Sequence, residues 1–336
     1  MNRSRREFLA ATGMTVAAGS STSALAWTTT TPQKAATPTE ILDLFHYLPG
    51  DVAIKILAPA ANGKPEFLVE TKPAKKMFVG SAIKTFILCE VLRQADSPNV
   101  VQTLKREQLD LNASVWSLDS ATFNPPNLIG KVSLRTALEA MIMHSDNTGT
   151  DMCIKHAGPD KVRQFVASIG LKNTLIPNAT RSLFGYMLGA KDYKNFTWDD
   201  IQAAANSPIV NSPMNDVESM VSTGDDFHSY YSRALQGDFF KNKETLNEFR
   251  RILSLGDAIW LLPLPIGCSS FCKGGSIDVA GFHAIAAPGA MFFDNRWLYF
   301  FVAINWYSKD ERDPSTAAAF ASAAGRALAL SKDAAT

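Results

Sequence analysis

The pattern of apolar and polar positions changes character twice along the chain. Near the start, "DVAIKILA" (51–58) and "EFLVE" (66–70) are short runs rich in strand-forming residues. The Gly/Pro turn "APAANGKP" between them predicts a hairpin. Near the end, "CKGGSI" (272–277), "VAGFHAIAAPG" (279–289) and "WLYFFVAIN" (297–305) predict three more strands, and the Ala-rich segment 314–331 predicts a helix. Between these groups the period is mainly helical. In "FVGSAIKTFILCEVLRQ" (78–94), Ile83, Phe86, Ile87, Val91 and Leu92 recur at helical spacing. Further helices are predicted at 134–143, 158–170, 222–237 and 243–254. Pro159 opens the second of these and Gly170 closes it, and Ser222 or Thr223 caps the third ahead of Asp225 and Asp226.

Strands at both termini with helices between them imply an α/β (α+β) fold. The two ends meet in a five-stranded antiparallel sheet with flanking helices, and the middle of the chain forms an all-helical lobe. The boundaries predicted are a sheet lobe at about 41–80 and 255–332 and a helical lobe at about 81–254, with a cleft where they join. With 336 residues, 46% of them hydrophobic, the chain can bury the core of a single catalytic domain over 41–332. It shows no repeat period.

The first residues stand apart from this pattern. "SRREFLAATGMTVAAGSSTSALAW" has paired Arg5 and Arg6, then Phe8 and Leu9, a mildly apolar stretch, and Ala24-Leu25-Ala26. It reads as a twin-arginine export signal (1–26) cut after Ala26, followed by a flexible Thr/Pro/Ala-rich leader (27–40). That implies transient contact with the export machinery and a periplasmic or secreted location. No run of 18 or more apolar residues predicts a membrane span. Residues 1–26 carry Arg3, Arg5, Arg6 and Glu7, so a chain cut after Ala26 has a formal charge of −1, against +1 for the whole sequence. Near neutrality gives no electrostatic reason to expect a nucleic-acid partner. The four cysteines (Cys89, Cys153, Cys268, Cys272) lack metal-site spacing and assign no disulfide. No metal or cofactor is expected, and a monomer is.

Candidate chemistry begins at Ser81, three residues before Lys84. The bland reading is a serine capping a helix, and about one Ser-x-x-Lys is expected by chance in a chain of this length. Two rarer motifs change the balance. Ser145-Asp146-Asn147 follows the apolar helix 134–143, and Lys273-Gly274-Gly275 lies on a predicted strand. A serine hydroxyl needs an adjacent base to act as a nucleophile. Positions i and i+3 share a helix face, which places Lys84 beside Ser81. A second positive charge brought beside Lys84 would disfavour its protonated form and so free it to accept the serine proton.

In this order and these contexts, the three motifs resemble those of the serine β-lactamase and penicillin-binding enzyme superfamily, nearest its class A β-lactamase branch. The resemblance spans about residues 40–330, with further similarity in "TGTDMCIKHAG", "STGDDFHSYYSRALQGD" and "GDAIWLLPLPIG". It implies that Ser81, Lys84, Ser145 and Lys273 are catalytic, Ser145 relaying a proton to the leaving nitrogen. It also implies that Asn147, Gly275 and Ser276 bind substrate, with an oxyanion hole made by the N–H groups of Ser81 and Ser276. Asp146 is expected to pin its loop, and His144 to be structural. The substrate implied is a β-lactam or a cell-wall peptide. The alternatives are a D-alanyl-D-alanine peptidase or esterase, or a low-turnover penicillin-binding or cell-wall-binding protein.

Two departures qualify the resemblance. Gly274 stands where the third motif has a hydroxyl residue, which Ser276 would partly replace. The omega-loop Glu-x-x-Leu-Asn pattern, whose Glu activates the deacylating water in class A enzymes, is absent from "GLKNTLIPNATRSLFGYMLGAKDY". Asp192, Asp199 and Glu218 are the acids a rearranged loop would have to recruit, and each is expected to be solvated. The Pro/Asn-rich insertion 205–216 is expected to remodel the cleft entrance, with Phe184, Tyr186, Phe196 and Trp198 lining it or packed in the core.

Overall fold

The computed structural model describes residues 35–258, 262–279 and 281–336, and residues 35–336 form one compact unit. The expected export signal lies outside the described residues. The expected leader ends earlier than residue 40. Thr37 caps a helix at Pro38–Leu42, its hydroxyl accepting from Glu40 N while the Glu40 side chain accepts from Thr37 N.

The described residues contribute ten strands: β1 (Asp51–Ala58), β2 (Phe67–Thr71), β3 (Met77–Phe78), β4 (Gln108–Leu111), β5 (Gly130–Ser133), β6 (Val221–Ser222), β7 (Ser269–Cys272), β8 (Gly275–Val279), β9 (Phe282–Phe293) and β10 (Arg296–Trp306). The main sheet is antiparallel, in the order β2-β1-β10-β9-β7, with β8 also pairing β9. The strand expected at 272–277 is therefore two. β7 and β8 share one register against β9, Cys272 facing Gly289 and Gly275 facing Ala286. Continued across the gap, that register sets Lys273 opposite Pro288, which has no N–H to donate to a ladder. The edge opens there, at the two residues of the third motif.

The apolar strand 297–305 shows little alternation because both faces of the sheet are buried. Phe301 and Ala303 point into a core shared with the helical lobe. Phe300, Val302 and Ile304 point into a second core, closed by Phe320, Ala324 and Leu328 of the C-terminal helix Pro314–Ala335.

The helices predicted at 134–143, 158–170, 222–237 and 243–254 are found at Leu134–Met143, Pro159–Ser168, Gly224–Ala234 and Lys243–Leu253. Thr223 is the cap of the third, accepting from Asp226 N at 3.1 Å. The lobe is not all helical, since it carries the β4–β5 ladder and the short β3–β6 pair. The latter matters for position. Asn305 of β10 accepts from Phe78 N at 2.9 Å and donates to Phe78 O at 3.1 Å, tying the segment before Ser81 to the sheet. The four cysteines are free thiols.

Candidate active site

Ser81 is not a helix cap. It sits in a single 3-10 turn, Gly80–Ile83, and the α-helix Lys84–Gln94 begins after it, with no side-chain cap bond. Gly80 takes φ +51, and an added Cβ there would stand 3.0 Å from the Ser276 N and O atoms. Glycine at 80 thus allows the serine turn to lie against β8. Ser81 Oγ has no hydrogen-bond partner among the described residues, and it is partly exposed.

Lys84 opens the buried helix and is itself fully buried. Its amine donates to Ser145 O at 2.6 Å, Asn147 Oδ1 at 2.8 Å and Ser145 Oγ at 3.2 Å. Burial first, and the Lys273 charge second, pull its pKa down to about 7. The Ser145 partner arises from local backbone geometry. The helix Leu134–Met143 ends at His144, and Ser145 takes φ +55, the left-handed region that few non-glycine residues occupy. Asp146 then caps the next helix, Asn147–Ala157, accepting from Gly149 N at 2.8 Å. Its other oxygen accepts from Thr122 N at 2.9 Å and Phe123 N at 3.0 Å. These bonds pin the loop and hold Asn147 at the first helical position. His144 is exposed.

Lys273, in the gap between β7 and β8, is also fully buried. It donates to Ser145 Oγ at 3.0 Å, so one hydroxyl lies between two amines. It further donates to Gly274 O at 2.9 Å and pairs with Asp257 Oδ2 at 2.6 Å. Burial lowers its pKa while Asp257 opposes that shift. Asp257 also accepts from Gly274 N at 3.1 Å, so it binds both residues that left the ladder. Gly275 is where β8 meets the serine turn: a Cβ would stand 2.1 Å from Val79 O and 2.5 Å from Ser81 N. The Ser276 side chain is exposed beside this contact. The structure thus gathers Lys84, Ser145, Asn147 and Lys273 into one hydrogen-bonded cluster, with Ser81, Gly275 and Ser276 at its edge. Asp257 was missed from the sequence, because a lone acid between Gly256 and Ala258 carries no pattern of its own.

Residues 39–258 match the model described as the beta-lactamase enzyme family, well over half of the chain. The chain belongs to the beta-lactamase enzyme family. Similar solved structures include a representative class A β-lactamase from Bacteroides cellulosilyticus DSM 14838, with TM-score 0.64 and 19% identity, covering 89% of this chain and 98% of that one. TLA-3 extended-spectrum β-lactamase gives TM-score 0.64 at 16% identity, over 87% and 96%. A PBP-A variant, an acyl-enzyme complex with penicillin G, gives TM-score 0.60 at 15% identity, over 86% and 95%. At these identities the likeness is one of fold. A search of curated proteins finds no match.

Within this β-lactamase frame, the loop from 170 to 180 can be laid over the Glu-x-x-Leu-Asn pattern. A short helix, Thr180–Met187, begins "TRSLF"; aligning its buried Leu183 with the Leu of that pattern sets Thr180 at the Glu position and Phe184 at the Asn position. Thr180 is buried against the helix Asn147–Ala157. Its N–H and hydroxyl donate to Asp151 Oδ1 at 2.6 and 2.8 Å, and Arg181 N donates to Asp151 Oδ2 at 3.2 Å. Glu218 is not solvated as expected. It is 3% exposed and accepts from Asn178 N at 2.6 Å, Asn178 Nδ2 at 2.9 Å and Ser182 Oγ, so it anchors the loop from outside. Asp192 and Asp199 are exposed. A cavity of about 650 Å³ beneath this loop is lined by Lys172, Ile176, Tyr193, Lys194 and Glu218 and touches none of the Ser81 cluster. In the following segment Phe196 is buried, Tyr186 meets Tyr193, and Trp198 meets Trp116.

Proposed function

We propose that this member of the β-lactamase family is an exported serine hydrolase of the class A type, opening a β-lactam or similar amide through an acyl-Ser81 intermediate. The observation that carries the reading is the buried Lys84–Ser145–Lys273 chain beside the serine turn. With its pKa near 7, Lys84 is largely able to take the Ser81 proton at neutral pH. Ser81 Oγ attacks the amide carbon, and Ser145 passes a proton from Lys84 to the departing nitrogen. Lys273, its charge matched by Asp257, favours an anionic substrate group, and Asn147 holds the substrate's amide carbonyl. The N–H groups of Ser81 and Ser276 receive the oxyanion. No helix among the described residues is long and apolar enough to cross a membrane.

A second reading, a penicillin-acylated protein with slow turnover, is favoured by Thr180 in the place of Glu and by the fold likeness to the PBP-A acyl-enzyme. Intact-mass spectrometry after brief and long exposure to penicillin separates the two. A mass increase of one acyl group that vanishes in Ser81→Ala and decays quickly fits the hydrolase. A persistent adduct fits the slow protein. No adduct on the native chain sinks both.

A further inference from the structure

Among the carboxylates around Lys84, Asp146 holds three backbone N–H groups and Asp257 holds Lys273. Asp151 is different. It lies one helical turn beyond Asn147 on the same face and is buried, and one of its donors is a hydroxyl rather than an amide or amine. That hydroxyl, Thr180 Oγ1, also lies 2.8 Å from Ser117 Oγ and 3.5 Å from Asn147 O. Asn147 in turn holds Lys84 Nζ through its side chain. Thr180, set at the glutamate position by the alignment on Leu183, thus bonds a buried acid and adjoins the backbone of Asn147, whose side chain holds Lys84.

We propose that Thr180 Oγ1 and Asp151 together replace the missing glutamate, Thr180 relaying the deacylating water's proton to Asp151. This rests on the acyl-Ser81 reading above. As water attacks the ester carbon on Ser81, a new C–O bond forms and the water's proton passes to Thr180 Oγ1. Thr180's own proton moves along the existing 2.8 Å bond to Asp151 Oδ1. When the tetrahedral species collapses, the bond from the acyl carbon to Ser81 Oγ breaks. The proton returns by the same path to Ser81, releasing the acid and restoring all three residues.

A further observation supports this. Burial raises the Asp151 pKa to about 6 against the lowering effect of its three donors and of the Arg181 charge, leaving a base suited to neutral pH. The charged groups whose fields reach it are Arg181 and, across the cluster, Lys84.

The test follows decay of the preformed acyl-enzyme by mass spectrometry from pH 4.5 to 8.5 in wild type, Asp151→Asn, Thr180→Val and Thr180→Ser. The wild-type rate should climb about tenfold per pH unit below about 6 and level off above it. Asp151→Asn and Thr180→Val should still form the adduct, lose the pH limb and deacylate about 100-fold more slowly at pH 7.5, while Thr180→Ser keeps the limb. Should Asp151→Asn fail to fold, the Val and Ser pair at 180 carries the decision. Thr180→Val decaying at the wild-type rate, or Thr180→Ser losing the limb, overturns the relay and leaves acylation at Ser81 standing. Absence of any Ser81 adduct overturns the acyl-enzyme reading, and the relay falls with it.

Discussion

Lys84 shows how much one residue's surroundings decide. A lysine amine in water holds its proton at neutral pH, whereas this one is enclosed and lies near a second ammonium group. The acylation rate should therefore rise with pH and level off above about 7, as read by burst kinetics with a chromogenic β-lactam. Lys84→Arg keeps the charge but cannot deprotonate, so it should lower acylation about 1000-fold across that range. Asp257→Asn removes the partner of a buried cation, with an expected loss of about 3 kcal/mol in denaturant unfolding. At this scale the motif residues were legible because Ser, Lys and Asn at fixed offsets are rare together. Asp257 and Thr180 were not, since each gains its meaning from a residue more than ten positions away.

Elements set the approach of these groups. The strand read as one run over 272–277 is broken at Lys273 by the proline facing it, a feature of pairing that no local window contains. That break frees Lys273 to reach Ser145 and lets β8 restart against the serine turn. Gly275→Ala should force the two backbones apart, abolish acylation and lower Tm by at least about 5 °C in calorimetry. An unchanged Tm would show that the turn yields easily. The helices were readable to within a few residues because caps and period agree, as at Leu134–Met143. The β3–β6 and β4–β5 ladders were not, because two to four residues are too short to display a period.

For the whole molecule, the buried site groups set a pH dependence of stability. The Lys84 pKa is depressed on folding, from 10.5 to about 7, so the unfolded chain binds more protons in that interval and stability rises with pH through it. The contribution is on the order of 5 kcal/mol before relaxation of the site. Asp151 works in the opposite sense. Its raised pKa means the native state binds more protons between about 4 and 6, so its contribution falls as pH rises there. The two costs coincide between about pH 6 and 7. Urea midpoints should show a positive slope from pH 7 to 9.5 that flattens in Lys84→Met. The meeting of the two chain ends in one sheet was legible from strands at both termini, and the open edge within that sheet was not.

The pairing of β1 with β10, Asp51 against Asn305, also orders events at the ribosome. Every group in the cluster has been synthesised by Ser276, yet β1 must wait for residues 296–306 before its second neighbour exists. A product truncated just short of that span would hold all the chemistry but lack the strand that joins β1 to β9. The proposed activity therefore requires that translation run past residue 306.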